Sequence, residues 1–312
     1  MSDKFVKAML VHLSTNMWYE EGNMQKGGKT TWEIGAESYL RFDFGLWRKY
    51  TEMLAEAGFN TIVLDIGDGI IYDSHPELAI DGSLTKEELK IEIDRLADMG
   101  ISVIPKLNFS TCHDVWLKEY SRMVSTPKYY EVCRDLINEI CDLLHPEYFH
   151  IGMDEENYAM QKGFNYIVIR NNDLWWHDFY FLVDCVEKRG ATACMWSDYI
   201  RDDIEGFDKK CPKSVIQCPW FYATTTDETK LADYQIAELK AIRDLNALGY
   251  KVFTASSNCF ERDSLPVTYE YCNRVISPEN NFGIMMTTWF ALTEEWWHKH
   301  LEAVEVFKES GI

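Results

Sequence analysis

The stretch Thr85-Lys-Glu-Glu-Leu-Lys-Ile-Glu-Ile-Asp-Arg-Leu-Ala-Asp-Met-Gly100-Ile-Ser-Val-Ile-Pro-Lys-Leu107 holds one complete helix-to-strand junction. Thr85 and Glu88 have the Thr-x-x-Glu spacing of a capping box, in which each side chain satisfies the other residue's backbone N–H. A helix is therefore predicted over Thr85–Met99, stopping at Gly100, where a residue without Cβ can turn the chain left-handed. Ser102–Leu107 then forms a nearly continuous apolar run, as expected of a strand buried on both faces. The same order recurs along the chain. Leu46–Ala57 stops at Gly58 ahead of Thr61–Asp65, Asp173–Lys188 ends before Gly190 ahead of Thr192–Trp196, and Asp233–Leu248 ends at Gly249 ahead of Lys251–Ala255. Thr126–Leu144 has Pro127 at its first helical position and ends before Pro146, ahead of Tyr148–Met153. Ala8–Leu13, Val215–Pro219 and Gly283–Thr288 bring the candidate strands to eight, and Glu295–Glu309 is the closing helix.

Eight β–α units running in one direction without a linker predict a parallel sheet closed on itself. The expected fold is α/β, a (β/α)8 TIM barrel, with residues 1–312 as a single domain; a doubly wound open sheet is the alternative. The Cys211–Val215 connection is too short for a full helix, so the fifth unit is expected to be degenerate. Apolar residues make up 46% of the 312, enough for a sizeable core. The net charge of −20 opposes phosphate backbones and anionic membrane surfaces, so neither nucleic acid nor membrane is an expected partner. No segment approaches the roughly eighteen apolar residues of a membrane span. Nine cysteines, an odd number without a CxxC pair, indicate reduced core thiols and neither a disulfide framework nor a zinc site. With an N-terminus lacking an apolar signal-peptide core, they point to a reducing cytoplasm.

In such a barrel the reacting groups sit at the C-terminal ends of the strands. The residues there are Ser14, Thr15 and Asn16, then Asp65 and Asp68, then Lys106, Asn108 and His113, then Asp154, Glu155 and Glu156. Trp196, Asp198, Trp220, Tyr222, Asn258 and Trp289 complete the rim. Carboxylates can hold sugar hydroxyls and indoles can cover C–H faces, so this rim suits a neutral polyhydroxylated ligand. The sharpest feature is Tyr148-Phe-His-Ile-Gly-Met-Asp-Glu155. Alternation places His150, Gly152 and Asp154 on one face, with Glu155 at the strand tip. Adjacent carboxylates repel, so one holds its proton more tightly, as a general acid must. The bland reading is a pair of carboxylates favouring a helix N-terminus. Trp175-Trp176 and Trp296-Trp297 read as packing or surface rings on helices, and His298 and His300 as solvated. The long loop Thr15–Tyr39, with Trp18, Tyr19 and Trp32, has the length of a lid or of an ordered loop packed on the barrel.

His150-Ile-Gly152-Met-Asp154-Glu155 resembles the His-x-Gly-Gly-Asp-Glu signature of glycoside hydrolase family 20, the β-N-acetylhexosaminidases, with Met153 replacing the second glycine. Gly100-Ile-Ser-Val-Ile-Pro105 resembles the family's third strand and His113 its following histidine. Met195-Trp196-Ser-Asp198, Gln217-Cys-Pro-Trp220 and Thr288-Trp289 resemble its tryptophan segments after strands five, six and eight. The resemblance implies retaining, exo-acting, substrate-assisted cleavage of an amino-sugar glycoside, outside the usual two-carboxylate scheme. Glu155 would be the acid/base and Asp154 would orient the acetamido group. Trp196, Trp220 and Trp289 would wall its pocket. Asp68, Asn108, His113, Asp198 and Tyr222 join them as candidate substrate-binding residues, and no cofactor or metal is implied. The sequence departs from the family at its strand-one arginine, absent from Val11-His-Leu-Ser-Thr-Asn16, at the acidic position after strand three, occupied by Asn108, at the strand-seven tyrosine and at the carboxylate after the strand-eight tryptophan. Three other readings stay open: a two-carboxylate glycosidase pairing Glu155 with Asp198 or Asp68, an inactive sugar-binding barrel, and a metal-dependent isomerase or aldolase using His113, Asp154 and Glu156.

Overall fold

The computed structural model describes residues 5–21 and 34–312. Eight parallel strands close in sequence order: β1 Val6–His12, β2 Thr61–Asp65, β3 Ser102–Lys106, β4 Tyr148–His150, β5 Thr192–Trp196, β6 Ile216–Cys218, β7 Val252–Ser257 and β8 Asn281–Thr287. Pairing of β8 on β1 completes the (β/α)8 barrel. The surrounding α-helices are α1 Phe44–Ala57, α2 Lys86–Asp98, α3 Pro127–Leu144, α4 Tyr158–Gln161, α5 Asn172–Glu187, α6 Ile204–Lys210, α7 Asp233–Ala247, α8 Ser264–Val275 and α9 Trp297–Glu309. The Thr85–Glu88 capping box forms, and Gly100 takes φ +77.

Strand alternation builds two apolar layers. Ala8 and Leu10 face inward with Val63, Ile104, Cys194 and Met285. Met9, Val11, Ile62 and Leu64 face outward against helix residues such as Leu54, Leu96 and Ile137. Trp175 and Trp176 lie in that outer layer, with their rings on Phe179 and Tyr199. The nine cysteines are unpaired, and all but Cys259 are buried. Among the described residues no helix is long and apolar enough to cross a membrane.

Several expectations need correction. Asp65 and Lys106 are not rim residues. They lie in one interior layer with His12 and His150, joined by register across β1 to β4. Lys106 is fully buried and ion-paired to Asp65, whose second partner is His12 Nδ1 at 3.2 Å. Burial alone would raise the Asp65 carboxyl, but Lys106 and His12 hold it below the usual carboxylate range. His300, expected in solvent, is buried against Tyr50, with Nε2 3.1 Å from the Ala291 carbonyl oxygen. The fifth unit does contain a helix, the seven-residue α6, upstream of the short connection. Helix α8 escapes a periodicity reading because Pro266 falls in its first turn, where a missing N–H is tolerated. Trp32 and residues 22–33 of the long loop lie outside the described residues. Of its remainder, Trp18 packs edge-on against His12.

Candidate active site

The third residue of β4 is the last with regular strand geometry. Its neighbours continue the backbone ladder, with Phe109 N–H donating to Ile151 O and Trp196 N–H to Gly152 O. Gly152, Met153 and Glu155 then take φ of +76, +75 and +54. A Cβ on Gly152 would sit 1.9 Å from Asn108 Oδ1 and 2.8 Å from Asn108 Cα, so the close approach of the two chains requires glycine there. Met153 keeps a left-handed backbone without being glycine, an uncommon and strained choice. Its side chain is buried, with Sδ 3.5 Å from Arg170 Nη2. These turns, not strand alternation, aim both Asp154 and Glu155 into the barrel mouth.

Asp154 is buried. Its Oδ1 accepts from Asn108 Nδ2 at 2.9 Å, Oδ2 lies 3.3 Å from His113 Nε2, and its carbonyl accepts from Ser110 Oγ. Glu155 is more open, and its Oε2 also lies 3.3 Å from His113 Nε2. The Glu155 backbone is held on both sides: its N–H donates to Asp198 Oδ2 at 2.9 Å, and its carbonyl accepts from Cys112 Sγ at 2.6 Å. Burial would lower the pKa of His113, but the charges of Asp154 and Glu155 outweigh it and raise it to about 9. His113 Nε2 thus sits between the two carboxyl groups, 3.3 Å from each. His113, Asp154 and Glu155 also form the compact His/carboxylate group that could hold a metal ion among the described residues. Glu156, a ligand in the metal reading, turns away: it is buried in an ion pair with Arg170.

The carboxylates open into a cavity of about 700 Å³, within the roughly 300–1,000 Å³ usual for ligand sites. Trp196, Trp220, Trp289, Tyr222, Asn108 and His113 line it. Its closed end is aromatic. Trp196 is buried with its ring centroid 6.0 Å from that of Trp289, Trp289 stacks on His12, and Trp220 stacks on Tyr222 at 5.5 Å. Two candidates are placed elsewhere. Asp68 borders a separate depression, bonded to Ser14 Oγ and to Asn16 Nδ2. Asp198 stands behind the wall with both oxygens engaged: Oδ1 accepts from Trp220 Nε1 and Arg201 Nη2, each at 2.9 Å, and Oδ2 from Glu155 N. Burial pushes its pKa up to about 6. Sequence reasoning missed Glu238, Tyr234 and Gln235, which reach the cavity from α7. A helix residue gives no strand-end signal, so only the packing of α7 over the mouth reveals them.

No family model and no curated protein matches this sequence. Solved structures do match. A chitobiase from Flavobacterium johnsoniae is 19% identical with a TM-score of 0.62, covering 86% of this chain and 46% of that one. A family 20 β-N-acetylhexosaminidase from Streptomyces coelicolor is 14% identical, with a TM-score of 0.64 and coverage of 96% and 63%. A mutant Streptomyces plicatus β-hexosaminidase in complex with its product GlcNAc is 14% identical, with a TM-score of 0.63 and coverage of 96% and 63%. The fold is that of the family 20 hexosaminidase barrels. This chain spans about half to two-thirds of the length of those proteins. Where the resembling motif has its second glycine, Met153 retains a backbone suited to glycine. No arginine follows β1; His12, stacked on Trp289, is the last residue of that strand.

Proposed function

We propose that this protein is a divergent family 20 glycoside hydrolase, a retaining, exo-acting β-N-acetylhexosaminidase that uses its substrate's own acetamido group as nucleophile. The reading rests chiefly on one observation: neighbouring carboxylates, Asp154 and Glu155, share His113 at the mouth of a cavity whose closed end is walled by indoles. The acetamido oxygen attacks C1 as the bond from C1 to the leaving oxygen breaks, and Glu155 gives its proton to that oxygen. The resulting oxazolinium carries its charge largely on the N–C–O unit. Asp154, held by Asn108 and His113, orients the acetamido N–H and offsets that charge. Glu155 then takes a proton from the water that reopens the ring at C1, which restores both the acid and the starting configuration. Trp196, Trp220 and Trp289 enclose the acetamido methyl and exclude competing water.

The two-carboxylate alternative finds less support. Asp68 is outside the cavity, and Asp198 is fully engaged by Trp220, Arg201 and Glu155 N. A screen of p-nitrophenyl glycosides, with N-acetylglucosaminide and N-acetylgalactosaminide included, tests the proposal beside Glu155→Gln. Turnover of an acetamido sugar by the parent alone is expected, slowing progressively as the acetyl methyl is fluorinated and its oxygen becomes a weaker nucleophile. Equal turnover by both proteins, or indifference to fluorination, refutes it.

A further inference from the structure

Among the described residues eleven large apolar side chains are exposed, and six of them fall within Tyr158–Tyr180, the segment that leads from Asp154 and Glu155 into α5. They are Tyr158, Tyr166, Ile167, Ile169, Leu174 and Tyr180, each between 39% and 66% exposed. Scattered singly such residues are ordinary, but a run of them marks a surface that something covers. The segment is held firmly from beneath. Gln161 is fully buried and grips both backbone groups of Val168, its Oε1 accepting from the N–H at 2.8 Å and its Nε2 donating to the carbonyl at 2.6 Å. Phe164 is buried, and the Arg170 guanidinium is anchored on Glu156 and Asp178. Tyr166, Ile167 and Ile169 lie between these inward anchors and are fixed outward by them. In α5 the buried Trp175 and Trp176 face the core and leave Leu174 and Tyr180 outside. A surface fixed in this way loses little freedom when it is covered.

Its charge also departs from that of the chain. Acidic residues are 51 of the 312, yet none occurs in residues 157–172. Two carboxylates at its border are engaged: Glu20 accepts from Asn165 N–H at 2.8 Å, and Asp173 is paired with Lys210 at 2.8 Å. A chain of net charge −20 repels its own copy wherever its carboxylates face outward, so a copy can approach closely only where they are missing. A basic partner finds no free carboxylate here, and the single exposed Lys162 gives an anionic membrane little to hold. The size fits as well. The six side chains present about 600 Å² of surface, the upper end for the largest patch on a monomer. A stable dimer takes about 800 Å² from each partner. Lys162, Asn165, Asn171 and Asn172, all exposed, supply the remainder as a polar rim around an apolar centre.

We propose that this face is the interface of a two-fold homodimer, in which Tyr166, Ile167 and Ile169 of one copy pack against the same residues of the other. Every charge on such a face meets its own repeat across the axis, which is why an acid-free surface suits a second copy. The same segment carries Met160, which lines the cavity, so association braces the rim beside Glu155.

The test is sedimentation velocity of the full chain at concentrations from about 1 to about 50 μM, where an interface of this size should associate. The parent is expected to sediment with the mass of two chains at the upper end. The double substitution Ile167→Glu with Ile169→Glu should halve that mass throughout the range, with the circular dichroism of the parent, because both positions are exposed. The uncharged Tyr166→Ala should raise the dimer dissociation constant about tenfold, as loss of a central interface tyrosine does. Ile91→Glu, at a position 63% exposed on α2, should leave the dimer unchanged. Raising sodium chloride from about 50 to about 500 mM should favour the dimer, since screening weakens the repulsion between copies. A parent that stays monomeric at the highest concentration overturns the interface. So does a dimer that survives Tyr166→Ala and the double substitution, that Ile91→Glu also disrupts, or that salt dissociates.

Discussion

Met153 sets two known energies against each other, and their difference is measurable. Its φ of +75 is a conformation that costs a residue with a Cβ about 1–2 kcal/mol. Met153→Gly removes that cost. The same substitution empties the site of a side chain that is 2% exposed, and truncating a buried methionine costs about 2–5 kcal/mol. Midpoints of about 3.5 and about 1.5 kcal/mol leave Met153→Gly less stable than the parent by about 2 kcal/mol. Met153→Ala loses almost the same packing but keeps the strain, so it should fall below the glycine variant by about 1–2 kcal/mol. Equilibrium urea unfolding of the three proteins gives the order directly: parent, then glycine, then alanine. A glycine variant as stable as the parent would mean that the thioether packs nothing of consequence. An alanine variant as stable as the glycine one would mean that the backbone there is unstrained. Either result breaks the account of how β4 delivers its carboxylates.

Three other substitutions probe the site and its supports. Gly152→Ala should push Asn108 away from Asp154 and lower kcat on an acetamido glycoside by about a hundredfold, the scale of a 1 Å misplacement, with a smaller change in KM; parent-like kinetics would show that the close approach is not needed. Arg170→Met strands the buried carboxylates of Glu156 and Asp178 and should destabilise the protein by about 3–5 kcal/mol in urea unfolding; a loss under about 1 kcal/mol would refute the buried pairing. His113, raised from 6.5 to about 9, contributes stability that is fully present below pH 6.5 and lost as pH rises through about 9. His113→Gln should remove that alkaline decline, and an NMR titration placing the parent imidazole at or below 6.5 would contradict the pairing of His113 with the two carboxyl groups.

Much was legible in one dimension. Periodicity, the Thr85–Glu88 cap and the glycines ending successive helices are local properties, written into neighbouring residues, and they marked eight strands and most of the helices between them; closure is a property of the tertiary structure. The position of Asp154 and Glu155 followed from the rule that strand ends face the barrel mouth. The tryptophans of the rim were legible for the same reason, but the place of His113 between the two carboxyl groups was not. Side-chain direction past the end of a strand was not, because it depends on turns that close packing imposes. Gly152 is turned by Asn108 against it, and Glu155 points inward through a left-handed backbone that alternation does not anticipate. Asp65 and Lys106 read as rim residues, yet the stagger of the closed sheet puts them one layer below, where each neutralises the other. Asp198 and Asp68 look alike in sequence, but only tertiary contacts assign one to a wall and the other to a separate depression. Glu238 has no sequence signal at all, since its place at the cavity is created by a helix laid across the mouth. Local physics determined what the chain builds; the packing of distant segments decided which side chains meet.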